Sequence, residues 1–140
     1  MKKAIITCSI ILVAILSIQF LRARWIAPCL IEKIEFRGYY VCCEGTDSTT
    51  VELSRDEIRE LMRIYNSPVK QSELQGEGCN SDYSFKVYLV GGISFYVREA
   101  GSPRIEVTPI LGKKYWIFTD ALTEYAEKLI EKYGLMVSPT

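Results

Sequence analysis

The 140-residue chain contains no histidine. That absence removes the commonest general base, the commonest zinc ligand and the usual switch near neutral pH. No two cysteines stand in C-x-x-C spacing, so a structural zinc site has no ligand set. A cysteine nucleophile lacks the imidazole that normally activates it. The nine glycines show no phosphate-loop spacing, and the chain has no internal repeat or low-complexity segment. Asp82, Glu99 and Glu106 fall near hairpin ends, but no spacing fixes two of them together. No catalytic residue, cofactor or metal site is therefore expected. An excess of charge is missing as well, since 17 Lys and Arg balance 17 Asp and Glu. Lys2, Lys3, Arg22 and Arg24 flank the N-terminal segment, which leaves 13 cations against 17 acids in residues 25–140, a net charge near −4. Such a domain lacks the basic face that phosphate neutralisation requires, so nucleic acid is not an expected partner.

What is present begins with a long apolar run. Lys2 and Lys3 precede an uncharged stretch over residues 4–21, and Arg22 and Arg24 close it. As a helix, 18 residues span roughly 27 Å, about one hydrocarbon core. The run is longer than the apolar region of an ordinary signal peptide. The small residues that follow, Ala23 and Ala27, make a poor cleavage site. Residues 1–24 are read as a signal-anchor or transmembrane helix that meets the membrane through 4–21; a cleaved segment would make the protein secreted instead. Positive charges on the two sides nearly cancel. The short basic N-terminus favours a single-pass protein with its domain outside the cytoplasm. Residues 25–31, with Pro28, read as a linker. Trp25 marks either the membrane interface or an ordinary packing contact.

The remainder reads as one α+β domain over 32–134 with a tail at 135–140. In the stretch 32–43, Ile34 and Phe36 alternate with Lys33, Glu35 and Arg37, the period of a half-buried strand, and Gly38 bends or bulges it. A polar loop over 44–49 leads to a short strand over 50–53. Ser54 and Glu57 form a capping box, and Ile58, Leu61, Met62 and Tyr65 follow on one helix face. Residues 69–81 read as an exposed loop. Gly91-Gly92, taken as a two-residue turn, pairs Val90 with Ile93 and Tyr88 with Phe95. One hairpin face then carries Tyr88, Val90, Ile93, Phe95 and Val97, and the other Phe85, Val87, Leu89 and Tyr96. Both faces are apolar in that register and need a cover. Residues 100–103 form a turn and 104–110 a further strand. Residues 113–118 form a short strand or an extended link. Thr119 or Asp120 caps a last helix with a stripe of Leu122, Tyr125, Ala126, Leu129, Ile130 and Tyr133, stopped at Gly134. The expected order is β-β-α-β-β-β-α, an antiparallel sheet with two helices packed on one face.

Three features are candidates for function. Cys29, Cys42, Cys43 and Cys79 lie beyond the apolar run, and an oxidising compartment would let Cys42 or Cys43 pair with Cys79; the alternative is that all stay reduced as small apolar residues. Arg55, Arg59 and Arg63 recur at i, i+4 and i+8, as an anion or lipid head-group contact or as a solvated face with local ion pairs. The nine tyrosines suit either a half-buried sheet or a partner surface, for which Tyr88, Phe95, Tyr96 and Tyr115 are the candidates.

Leu53, Ser54, Glu57 and Ile58, together with Ile105, Glu106 and Pro109 before Tyr115-Trp116-Ile117, carry a resemblance. In these residues and in the order of elements, the chain is similar to small membrane-anchored extracytoplasmic domain families of Gram-positive bacteria whose function is unknown. The resemblance implies an exported location and no known activity. The cysteines and the 69–81 loop are not part of that pattern. The expectation is a non-enzymatic, membrane-anchored envelope domain that binds a protein or peptide. The alternatives are an immunity protein that neutralises a toxin and a small redox protein using Cys42, Cys43 or Cys79.

Overall fold

The computed structural model describes residues 1–38, 50–67, 71–72, 83–99 and 104–135. Outside them lie Tyr39, Tyr40, Cys42, Cys43, Cys79, Asp82, the 100–103 turn and most of the 69–81 loop.

The apolar run forms α1 (Lys2–Leu21), none of whose residues is buried. It is long and apolar enough to cross a membrane. A single 3-10 turn, Pro28–Leu30, leads into β1 (Ile31–Gly38). β2 (Thr50–Glu52) pairs with it, placing Val51 opposite Phe36. Ser54 then starts α2 (Arg55–Tyr65): its side chain accepts the Glu57 N–H, and Glu57 accepts the Ser54 N–H at 2.7 Å. Both donors are ones the helix start would otherwise leave unpaired. β3 (Gln71–Ser72) is followed by β4 (Tyr83–Leu89), β5 (Ile93–Glu99), β6 (Arg104–Thr108) and β7 (Tyr115–Phe118). The last helix, α3 (Asp120–Tyr133), ends at Gly134 in the left-handed conformation, φ 62°, which glycine adopts without a Cβ penalty.

All strand pairs are antiparallel, in the order β2-β1-β4-β5-β6-β7-β3. Both main helices lie on one face. From α2, Tyr65 packs against Phe95 with the rings tilted and their centres 6.1 Å apart; from α3, the Thr123 hydroxyl meets that of Tyr83 at 3.0 Å. Phe95 and Tyr83 belong to the same row of inward side chains, with Phe36, Phe85, Val87 and Val97. The fold is the α+β arrangement expected, with two additions at its edge. Residues 115–118 are a strand, and two residues of the expected 69–81 loop, Gln71 and Ser72, pair with it.

Three expectations are corrected. The hairpin is in a different register: Leu89 pairs with Ile93 and Tyr88 with Ser94, around a loop of Val90, Gly91 and Gly92. Gly91 and Gly92 take φ values of 99° and 80°. Side chains alternate faces with period two, so a slip of one residue on one strand regroups both faces. The result is one inward apolar face (Phe85, Val87, Leu89, Phe95, Val97) and one outward amphipathic face (Lys86, Tyr88, Ser94, Tyr96, Arg98). The hairpin is not apolar on both sides.

The second correction concerns residues 25–31, which are not a linker. Ile26 is fully buried, Ile31 begins β1, and the Asn66 amide brackets Ile26 by accepting its N–H at 2.9 Å and donating to its carbonyl at 2.6 Å. The third concerns Leu135, which packs on the core and approaches Gly38, where a Cβ would stand 3.3 Å from that of Leu135. The domain thus extends at both ends beyond 32–134.

Candidate functional site

Two places combine polar geometry with access: the outward face of the sheet and the exit of α1.

On the outward face, pairing of β1, β4 and β5 lines up Glu35, Lys86 and Tyr96 in one row and Lys33, Tyr88 and Ser94 in the next. The Lys33 ammonium lies 4.6 Å from the Tyr88 ring centre, and that of Lys86 lies 4.8 Å from Tyr88 and 5.4 Å from Tyr96. Each amine faces a ring whose quadrupole attracts it. Glu35 accepts from Lys33 and from the Tyr88 hydroxyl, both at 2.8 Å. These bonds, that from Lys33 first, hold its carboxyl below the usual range. Nearer β7, Glu106 is buried although it points outward. Arg98 Nε donates to it at 2.7 Å, and Lys114 lies 3.3 Å away. Arg104 sits 5.5 Å from the Trp116 ring. Among the described residues, no helix covers this face.

At the exit of α1, the chain turns sharply at Ala23, which takes a φ of 54° although it is not glycine. Its carbonyl is buried and accepts from two phenols, Tyr65 and Tyr115, the latter at 2.8 Å. Burial raises both phenols well clear of neutrality, Tyr65 strongly, so both stay protonated donors. The last residues of α2 therefore hold residues 23–26. Its first turn holds the next stretch, as Arg55 donates to the Ile31 carbonyl at 2.9 Å. The Leu111 N–H in the β6–β7 loop donates to the Leu21 carbonyl at 2.9 Å, and the Val90 N–H donates to Leu30 at 2.9 Å.

The arginines of α2 are absorbed locally. Arg59 pairs with Asp56 at 2.9 Å and Arg63 with Glu60 at 2.7 Å, while Arg55 serves the backbone as above. At the other end of the sheet, a cavity of about 500 Å³ is bounded by Tyr83, Glu99, Thr123, Glu127 and Glu131. No group of metal-ligating side chains occurs among the described residues.

Of the residues expected at a partner surface, Tyr88 and Tyr96 stand on the outward face. Phe95 and Tyr115 do not, being core residues at 1% exposure. Period-two alternation in the corrected register separates Phe95 from Tyr88, and Tyr115 is drawn inward by Ala23. Of the cysteines, Cys29 is an exposed free thiol; the candidate pairing of Cys42 or Cys43 with Cys79 lies outside the described residues. Sequence reasoning missed Lys33, Lys86 and Glu35 as companions of the tyrosines. It also missed the clamp around Ala23, for which no local signal exists. No family model matches the chain, and no curated protein or solved structure matches it significantly.

Proposed function

We propose that this chain is a single-pass membrane protein whose domain stands outside the cytoplasm and binds a protein or peptide through the outward sheet face, without catalysing a reaction. The observation that carries the reading is the ladder Lys33–Tyr88–Lys86–Tyr96 on a face left open by the helices. Rigid aromatic rings beside amines offer contact area at small entropic cost and favour a segment carrying carboxylates among apolar side chains. The near −4 balance of residues 25–140 makes this cationic patch distinct from the rest of the domain. α1 supports the membrane assignment.

A photo-crosslinking side chain at Tyr96 in intact cells tests the binding, with one at the exposed Lys128 on α3 as control. The expected result is a discrete adduct from Tyr96 alone, lost on Lys86→Glu. Identical adducts from both positions, or none, would overturn the reading. Protease added from outside tests the location: digestion of the domain in intact cells is expected, and protection until lysis would place it in the cytoplasm.

A further inference from the structure

Beyond α1, the exposed large apolar side chains among the described residues are Trp25, Leu30, Val90, Ile93, Leu111 and Tyr96. Tyr96 belongs to the outward face. The other five come from three separate stretches of chain, and the topology brings all of them to one end of the sheet. β4 runs toward the Val90 loop and β6 toward the Leu111 loop, and β1 starts beside Leu89. This is also the end where α1 leaves. Leu111 is bonded through its backbone to Leu21, and Val90 to Leu30. Trp25 and Leu30 fold back along the helix and enclose with Val13, Leu16 and Phe20 an apolar groove of about 690 Å³. They therefore lie at the level of the last two turns of α1, not beyond its end.

Charge follows the same division. Residues 20–31, 89–94 and 109–114 contain no Asp or Glu but four cations, Arg22, Arg24, Lys113 and Lys114, in a domain that is acidic elsewhere; Glu32 is the first carboxylate past this end. Apolar side chains backed by cations, with tryptophan among them, match the boundary between acyl chains and anionic head groups.

We infer that this end of the domain is a membrane-seating collar: Trp25, Leu30, Val90, Ile93 and Leu111 enter the interfacial layer of the bilayer around α1, with the exposed Lys113 beside Leu111 at the level of the head groups. The inference rests on the reading of α1 as a membrane span and adds that the domain is seated on the bilayer rather than tethered above it. Strands then run away from the membrane, and the ladder of Lys33, Tyr88, Lys86 and Tyr96 faces sideways, along the bilayer surface.

The test uses the full chain reconstituted in phosphatidylcholine–phosphatidylglycerol vesicles, with lipids brominated near the head group as quenchers. The fluorescence difference between wild type and Trp25→Phe isolates Trp25. Adding Leu111→Trp or Val90→Trp to Trp25→Phe reports the two loops, and Glu131→Trp reports the far end. Brominated lipid is expected to dim Trp25 and both loop probes about twofold and to leave position 131 unchanged, with aqueous acrylamide giving the reverse order. Loop probes quenched by acrylamide and not by lipid, in a chain that still resists alkaline carbonate extraction, would remove the collar and leave the anchor. Release of the chain by carbonate would remove the anchor reading itself, and the collar with it.

Discussion

The Tyr115 hydroxyl donates a 2.8 Å hydrogen bond to the Ala23 carbonyl, 92 positions earlier in the chain. Tyr65 donates to the same oxygen, and the two phenol oxygens lie 3.2 Å apart. A backbone turn with positive φ at a non-glycine residue is thus held by two buried donors from α2 and β7. Tyr65→Phe or Tyr115→Phe alone leaves one donor and is expected to cost about 1 kcal/mol. The double substitution strands a buried carbonyl and is expected to cost more than the sum, about 3 kcal/mol. Thermal unfolding of the four chains in one detergent gives the coupling, and strict additivity would contradict the shared-acceptor account.

Asn66 presents its side-chain amide to Ile26 as a strand neighbour would, one bond in each direction. Asn66→Ala is expected to cost about 2 kcal/mol, while Asn66→Asp keeps the acceptor and loses the donor. Because the clamp holds the segment after Arg24, trypsin is expected to cut there faster in Asn66→Ala than in the unaltered chain. An unchanged cleavage rate would show that Asn66 does not restrain this segment.

Glu57 joins the two helices. It closes the α2 cap and receives Lys132 at 2.6 Å and the Tyr133 hydroxyl at 2.8 Å, while its own carbonyl accepts from Tyr125 at 3.0 Å. Burial opposes its ionisation, but the bonds from Lys132, Ser54 and Tyr133 prevail and bring the carboxyl down from 4.5 to about 2. A depressed folded value means stability that is complete above about pH 4.5 and lost as pH falls toward 2. The loss across that window is expected to be on the order of 2 kcal/mol. Glu57→Gln should lower stability at neutral pH and flatten that acid limb in denaturant melts between pH 5 and 2. An acid limb as steep as in the unaltered chain would assign the loss to other carboxylates.

The hairpin loop requires its glycines. Gly92 sits at φ 80° with open space around its Cα, so a methyl group meets no neighbour there and only the backbone conformation resists it. Gly92→Ala is expected to cost about 1 kcal/mol, with little change in the cross-strand pairs Val87–Phe95 and Phe85–Val97. A larger loss accompanied by altered strand pairing in amide exchange would mean that the loop sets the register.

Much of the architecture was legible locally. Ser54 and Glu57 marked the start of α2, the stripe of Ile58, Leu61, Met62 and Tyr65 marked its buried side, and Gly134 marked the end of α3. Each signal depends on neighbours within four residues, where helix geometry leaves few alternatives. The alternation of Ile34 and Phe36 with charged residues placed β1 correctly for the same reason. The hairpin register was not legible to that depth. Leu89, Val90 and Ile93 are all apolar, so pairing Val90 with Ile93 looked as good locally as pairing Leu89 with Ile93. Closure against β1, α2 and α3 selects the register that buries Phe85, Val87, Phe95 and Val97 together.

The sequence by itself determined both main helices, the strands β1, β2, β4, β5 and β6, the apolar helix α1 and the lack of histidine chemistry. Tertiary structure decided which tyrosines are surface and which are core, and it drew Ile26 and Ile31, from a stretch that reads as a linker, into the core. The reason is range. A helix cap or a strand alternation is fixed by residues a few positions away. The partners of Ala23 and Ile26 come from α2 and β7, and only the folded chain brings them within hydrogen-bonding distance.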